Sequence, residues 1–132
     1  MRNETTSIEK NIVNEIDQKP LTLELNKLEQ REELAVCYFM IQNQLSIDLP
    51  QLKLELFSFN QERVINGHFL ADFGAIPANK KVVKLVPVQE VNIKQISSIL
   101  LNRVMDESDS DPCCSLEQVA LYSRVKGVSM ES

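Results

Sequence analysis

Apolar and polar residues alternate along several stretches of this chain. Leu21, Leu23 and Leu25 are separated by Thr22 and Glu24 and followed by Asn26, while Leu52, Leu54 and Leu56 enclose Lys53 and Glu55. Successive side chains of an extended strand point to opposite sides, so this period of two predicts strands with one face buried and one in water. Leu34 to Ile41 is apolar in both alternating sets and includes Val36, Tyr38, Phe39 and Ile41. It reads as a central strand covered on both faces. Together the two kinds of strand imply one sheet stacked on another.

Turn signals punctuate the rest of the chain. Asp48-Leu49-Pro50, Asn60-Gln61-Glu62, Asn66-Gly67, Gly74, Pro77-Ala78-Asn79 and Pro87 each adjoin a short apolar run. Further strands are expected at His68 to Phe73, Lys81 to Val88 and Val119 to Val128. Between Val91 and Met105 a helix-like spacing of Ile93, Ile96, Ile99, Leu100 and Val104 competes with a strand at Ile99 to Val104; a turn followed by a strand is the preferred reading. The count is seven strands, give or take one. Short strands at this spacing predict a mainly β chain folded as a two-sheet β-sandwich.

Two segments fall outside that rhythm. In residues 1–19, Ile8, Ile12, Val13 and Ile16 recur at helical spacing, Thr6 and Glu9 have the spacing of a capping box, and Pro20 follows. A short amphipathic helix or a loose tail is expected there, ahead of a sandwich domain at 20–132. Asp106 to Pro112 holds no apolar residue and is expected to be a solvated loop.

With 132 residues, 43% apolar and 25% charged, the chain has the size and balance of one globular domain. The net charge is −5, and of fourteen basic residues only Lys80 and Lys81 are adjacent. No basic stripe is available to neutralise a phosphate backbone, so nucleic acid is not an expected partner. No apolar run reaches the roughly 18 residues of a membrane-spanning helix. The N-terminus as written lacks the regions of a signal peptide. Asn3-Glu4-Thr5 matches a glycosylation sequon, a motif short enough to arise by chance.

Candidate chemistry is sparse. A nucleophilic cysteine needs a base, and His68 is the only histidine. Cys37 falls inside the expected central strand, where a thiol is inert core. Cys113 and Cys114 sit beside carboxylates that raise a thiol pKa. Adjacent Cα atoms lie about 3.8 Å apart, whereas an unstrained disulfide prefers about 4.4 Å or more, so a Cys113–Cys114 bond would be strained and easily reduced. His68, after Asn66-Gly67, reads as a surface or edge histidine. Adjacent cysteines are not the spaced pair of a zinc site, and the acidic loop lacks the glycine of a calcium loop. No catalytic constellation, metal site or cofactor site is expected.

Leu23-Glu24-Leu25-Asn26-Lys27-Leu28-Glu29, Asn43, Leu52-Lys53-Leu54, Asp72-Phe73-Gly74, Pro77-Ala78-Asn79-Lys80, Ile99-Leu100-Leu101-Asn102 and Ser123-Arg124 carry a family likeness. Through them the chain resembles a group of small exported alphaproteobacterial proteins of the Tat-pathway-signal type. The likeness spans roughly Leu21 to Arg124. Such relatives tend to carry cysteines near the positions of Ala35 and Ile93, both absent here. The run from Leu52 to Val88 also looks like the strand-turn-strand core of immunoglobulin-like or fibronectin-III-like bacterial modules. The resemblance implies a periplasmic or secreted home once a leader has been removed, with a cytoplasmic home as the alternative.

The expected function is a non-catalytic protein-interaction domain of an exported or envelope-associated protein. Its expected contact residues are Pro77, Asn79 and Lys80 in one turn and Asp106, Glu107, Asp109 and Asp111 in the acidic loop. One alternative is an effector or inhibitor that binds a partner enzyme such as a protease. Another is a thiol redox protein using Cys113 and Cys114. Unpaired strand edges make a homodimer an open expectation.

Overall fold

The computed structural model describes residues 19–105 and 116–132. Among them the chain forms β1 (Leu21–Arg31), β2 (Leu34–Asn43), β3 (Leu49–Phe59), β4 (Ile65–Ile76), β5 (Lys81–Gln89), β6 (Ser98–Met105), β7 (Val119–Ser123) and β8 (Ser129–Glu131), with short 3₁₀ turns at Ile93–Gln95 and Leu116–Gln118. They make two four-stranded sheets, ordered β5-β2-β1-β7 and β4-β3-β6-β8. Neighbours are antiparallel except β1 with β7 and β6 with β8, which run parallel. The two-sheet sandwich that the alternation predicts is the architecture observed.

The alternating leucines point where the period requires. Leu21, Leu23 and Leu25 from the first sheet and Leu54 and Leu56 from the second are fully buried, with Leu52 nearly so. Phe39, Ile41, Ile99 and Leu101 join them in one continuous core. Burial of that much aliphatic surface is what joins the layers, at about 25 cal/mol per Å² removed from water.

Where the alternation breaks, a bulge restores it. Leu25-Asn26-Lys27-Leu28 departs from period two, and the register of β1 against β2 slips between Leu25 and Lys27. Asn26 is the extra residue, so Leu28 returns to the inner face opposite Cys37. A second slip, between Glu55 and Leu56 against β6, makes Asn102 the extra residue there. Asn102 and Arg103 are both exposed, between buried Leu101 and half-buried Val104.

Several expectations need correction. Asn66-Gly67 and Gly74 are not turns but lie inside β4. The reversal occurs earlier, at Asn60 to Arg63, where the Asn60 Oδ1 accepts from the amides of Glu62 and Val64. Gly74 is at φ +66° beside a register slip, and its amide donates to Asp72 Oδ1, so glycine here permits a left-handed bulge. Pro87 lies within β5, an edge strand, where a missing amide costs no sheet bond on the open side.

The strand expected over Val119 to Val128 ends at Ser123, and the next strand, β8, begins only at Ser129. The chain turns after Ser123, whose hydroxyl donates to Val128 O at 2.7 Å and accepts from the Val125 amide, and Gly127 at φ +84° completes the crossing to the other sheet. Val125 and Val128, apolar residues within that turn, are what lengthened the strand in the sequence reading. β2 is central, as expected, but among the described residues no second layer covers its outer face. Tyr38 and Met40 there are half-buried; Lys27 Nζ lies 5.0 Å from the Tyr38 ring, and Arg31 and Glu29 both bond the Tyr38 hydroxyl. The region 91–105 is a turn and then a strand, as preferred. The expected N-terminal helix or tail lies, up to residue 18, outside the described residues.

Gly67 shows how close the layers come. A Cβ there would overlap the hydroxyl of buried Ser58, which donates to Asn66 Oδ1, and would press on Val88 of the opposite sheet. Gly67→Ala is expected to cost about 1–3 kcal/mol in urea unfolding. An unchanged midpoint would show that Ser58 gives way freely.

Candidate functional site

The expected contact turn sits at the end of the sandwich where β2 and β4 finish and β3 and β5 begin. It is organised by a buried amide. Asn43, with no solvent exposure, donates from Nδ2 to the carbonyls of Ile47 at 2.9 Å and of Ile76 and Pro77 at 3.2 Å, and its Oδ1 accepts from the Leu45 amide at 2.9 Å. Its own backbone amide donates to Lys80 O. The Ala78 amide donates to Asp48 Oδ1, and the Asn79 amide to Leu45 O. Asn79 takes φ +58°, a left-handed conformation that asparagine tolerates better than most residues. Pro77, Asn79 and Lys80 are therefore exposed side chains on a pinned backbone.

Of the other expected site residues, Asp106, Glu107, Asp109, Asp111, Cys113 and Cys114 lie outside the described residues. The strand ends that flank them can be placed. Met105 follows the β6 residue that pairs with Leu54, and Val119 pairs with Leu21, directly across from Asn43. Those ends point toward the same pole as the Pro77–Lys80 turn. Cys37 is buried, and loss of solvent pushes its thiol up to about 12, so it stays protonated and unreactive at neutral pH.

His68 is on the outer face of the second sheet, half-exposed, as an edge histidine should be. Its ring stacks on Phe57 with centroids 4.6 Å apart, and its Nε2 lies 2.9 Å from Glu55 Oε2. The bulge in β6 turns two further partners toward the same carboxylate: Asn102 Nδ2 donates to Glu55 Oε1 at 2.8 Å, and Arg103 Nε lies 3.4 Å from it. The Asn102 hydrogen bond, then that of His68, then the Arg103 charge hold the Glu55 carboxyl below its ordinary value. This is a structural knot on a sheet face. Among the described residues no group of three or more potential ligands is placed to hold a metal.

The sequence reading missed a strip of exposed apolar side chains on the outer face of the first sheet. Val83 and Leu85 of β5, 59% and 40% exposed, stand opposite Met40 and Tyr38 of β2, and Pro87 stands opposite Val36. The available signal was the run Val82-Val83-Lys84-Leu85-Val86, in which neighbouring apolar residues occupy both faces of one strand. β5 is also a sheet edge. Its Lys84 lies between outward Val83 and Leu85, and Pro87 removes an amide, two features that discourage indiscriminate strand pairing along an open edge.

No family model and no curated protein matches the chain. Among solved structures, IrmA from Escherichia coli has a similar fold, with a TM-score of 0.65 at 9% identity, covering 79% of this chain and 92% of that one. The two share an architecture, and at that identity a fold is all the likeness shows.

Two expectations follow from the buried groups. Asn43→Ala removes a donor from three carbonyls and an acceptor from one amide, so it should cost about 1–3 kcal/mol and speed amide exchange in 44–48 and 77–80. Unchanged exchange there would deny Asn43 its organising role. Glu55 is held below 4.5, so its contribution is complete above that value and is lost as pH falls through the lowered value of the folded chain. Urea midpoints of wild type and Glu55→Gln should therefore differ at neutral pH and converge as pH falls through that lowered value.

Proposed function

We propose that this chain is a non-catalytic protein-binding domain whose contact surface is the outer face of the β5–β2 pair. The observation that carries the reading is the strip of Val83, Leu85, Met40 and Tyr38. Two of the four are strongly exposed, and all four lie side by side in register on one sheet face. A contiguous apolar patch with a polar border is the usual composition of an interface, whereas isolated exposed aliphatic residues need no explanation. The border here is charged: Lys27, Glu29 and Arg31 lie on one side and Lys81 on the other.

The geometry favours contact through the face over addition of a strand to the β5 edge. Lys84 and Pro87 would have to be accommodated along any added strand, whereas Val83 and Leu85 stand free. Pro77, Asn79 and Lys80 adjoin the start of β5 and extend this surface toward the Asn43 pole, where a rigid turn lowers the entropy lost on binding. An immunoglobulin-like ancestry and an exported or envelope-associated setting belong to the same proposal and rest on the sequence resemblance.

Replacing Val83 and Leu85 together by Ser removes the apolar strip without touching the core. Stability should change by no more than about 0.5 kcal/mol per site, as for surface positions in general. Affinity capture from an extract of the native source, with wild type and the double variant side by side, tests the reading. Partners that bind the wild type should be lost with the variant. Equal capture by both would remove this face from consideration, and turnover of a substrate by the purified chain would end the non-catalytic assignment.

A further inference from the structure

The end of the sandwich opposite the Asn43 pole has a second feature that no contact described so far uses. β7 pairs with β1 only from Leu21 to Leu25, and the last bond on that side runs from the Arg124 amide to Leu25 O. The chain then crosses to the other sheet to form β8. Over Asn26 to Arg31, β1 therefore has β2 on one side and no strand on the other among the described residues. Its outward amides and carbonyls along that half are an open sheet edge.

A recess of about 390 Å³ adjoins this half-edge. Leu28, returned to the inner face by the Asn26 bulge, forms one wall. Ile93 and Ile96 form another, and Val125 and Val128 of the crossing turn a third. All but Ile96 are only partly buried although they pack on the core, because β7 ends too early to roof them. Lys94 and Lys126 also line the recess, from different segments, and neither ammonium makes an ion pair or hydrogen bond among the described residues. An apolar recess near the lower size limit of ligand sites, an open strand edge and two unpaired cations coincide here.

We infer that this corner seats an extended, acidic and aliphatic peptide segment of a partner protein, which continues the sheet alongside Asn26–Arg31 where β7 stops. The edge supplies backbone hydrogen bonds, the recess takes an aliphatic side chain, and Lys94 and Lys126 pair with carboxylates next to it. The open backbone is what selects a peptide over a small amphiphile, since an amphiphile would leave those amides unpaired. Glu32, Glu33 and Glu90 line a separate cleft beyond Gln30, so the carboxylates of the segment must lie at the lysine end. The inference rests on the reading of the chain as a protein-binding domain but concerns a different surface, so failure here leaves the Val83 and Leu85 face untouched.

The probe is a capped peptide, Asp-Leu-Glu-Val-Asp, titrated into the isotope-labelled full chain and followed by amide shifts and hydrogen exchange. Shifts are expected at 26–31, 93–96 and 124–128, with slower exchange of the Asn26–Arg31 amides. The double reversal Lys94→Glu with Lys126→Glu, at two surface positions, should weaken binding roughly tenfold or more. Replacing the acidic residues of the peptide by Lys, or its aliphatic residues by Ser, should do the same. Shifts confined to the β5 face, binding that survives the charge reversal, or no shifts at millimolar peptide would each overturn the inference. So would decanoate producing the same shifts with the peptide giving no amide protection, which would assign the recess to a small amphiphile.

Discussion

Two rows of aliphatic side chains meet across the interior, and every other feature of this protein is subordinate to that contact. Leu21, Leu23, Leu25, Phe39 and Ile41 face Leu52, Leu54, Leu56, Ile99 and Leu101 with almost no exposure to solvent. Each sheet alone would present an apolar face to water, so neither layer is stable without the other. Because the rows come from alternate positions, a slip of one residue in any strand would turn a whole row outward. The register is thereby set by the core.

The bulges follow from the same constraint. A strand whose apolar residues fall out of phase must either bury a polar side chain or insert a residue, and insertion is the cheaper solution. At Asn26 the insertion returns Leu28 to the interior. At Asn102 it leaves two consecutive polar side chains on the outer face, and both reach Glu55, which also meets His68 from the other neighbouring strand. The one histidine of the chain thus belongs to a surface knot that locks three strands together.

What remains for recognition is whatever the core does not consume. At one pole, Asn43 ties two turns into a rigid platform with its single buried amide. On the outer face of the first sheet, Val83 and Leu85 are left bare because the core needs only the other face of β5. At the opposite pole, β7 is too short to cover β1, which leaves a half-edge and a recess. The exposed surfaces are by-products of strand lengths and sheet order.

Local pattern sufficed for much of the fold. The period of two marked Leu21 to Leu25 and Leu52 to Leu56 as half-buried strands, the doubly apolar run at Leu34 to Ile41 marked a central one, and the turn followed by a strand at 91–105 was legible, because a side chain's direction along a strand depends only on its neighbours in sequence. Alternation carries no record of which strand lies beside which. That β7 and β8 are two strands in different sheets, that Asn43 meets the carbonyls of Ile76 and Pro77, and that Lys94 and Lys126 share a recess with Leu28 all depend on residues far apart in the chain. Those distances were closed only when the two sheets buried their common face, so tertiary packing alone decided which residues share an exposed surface.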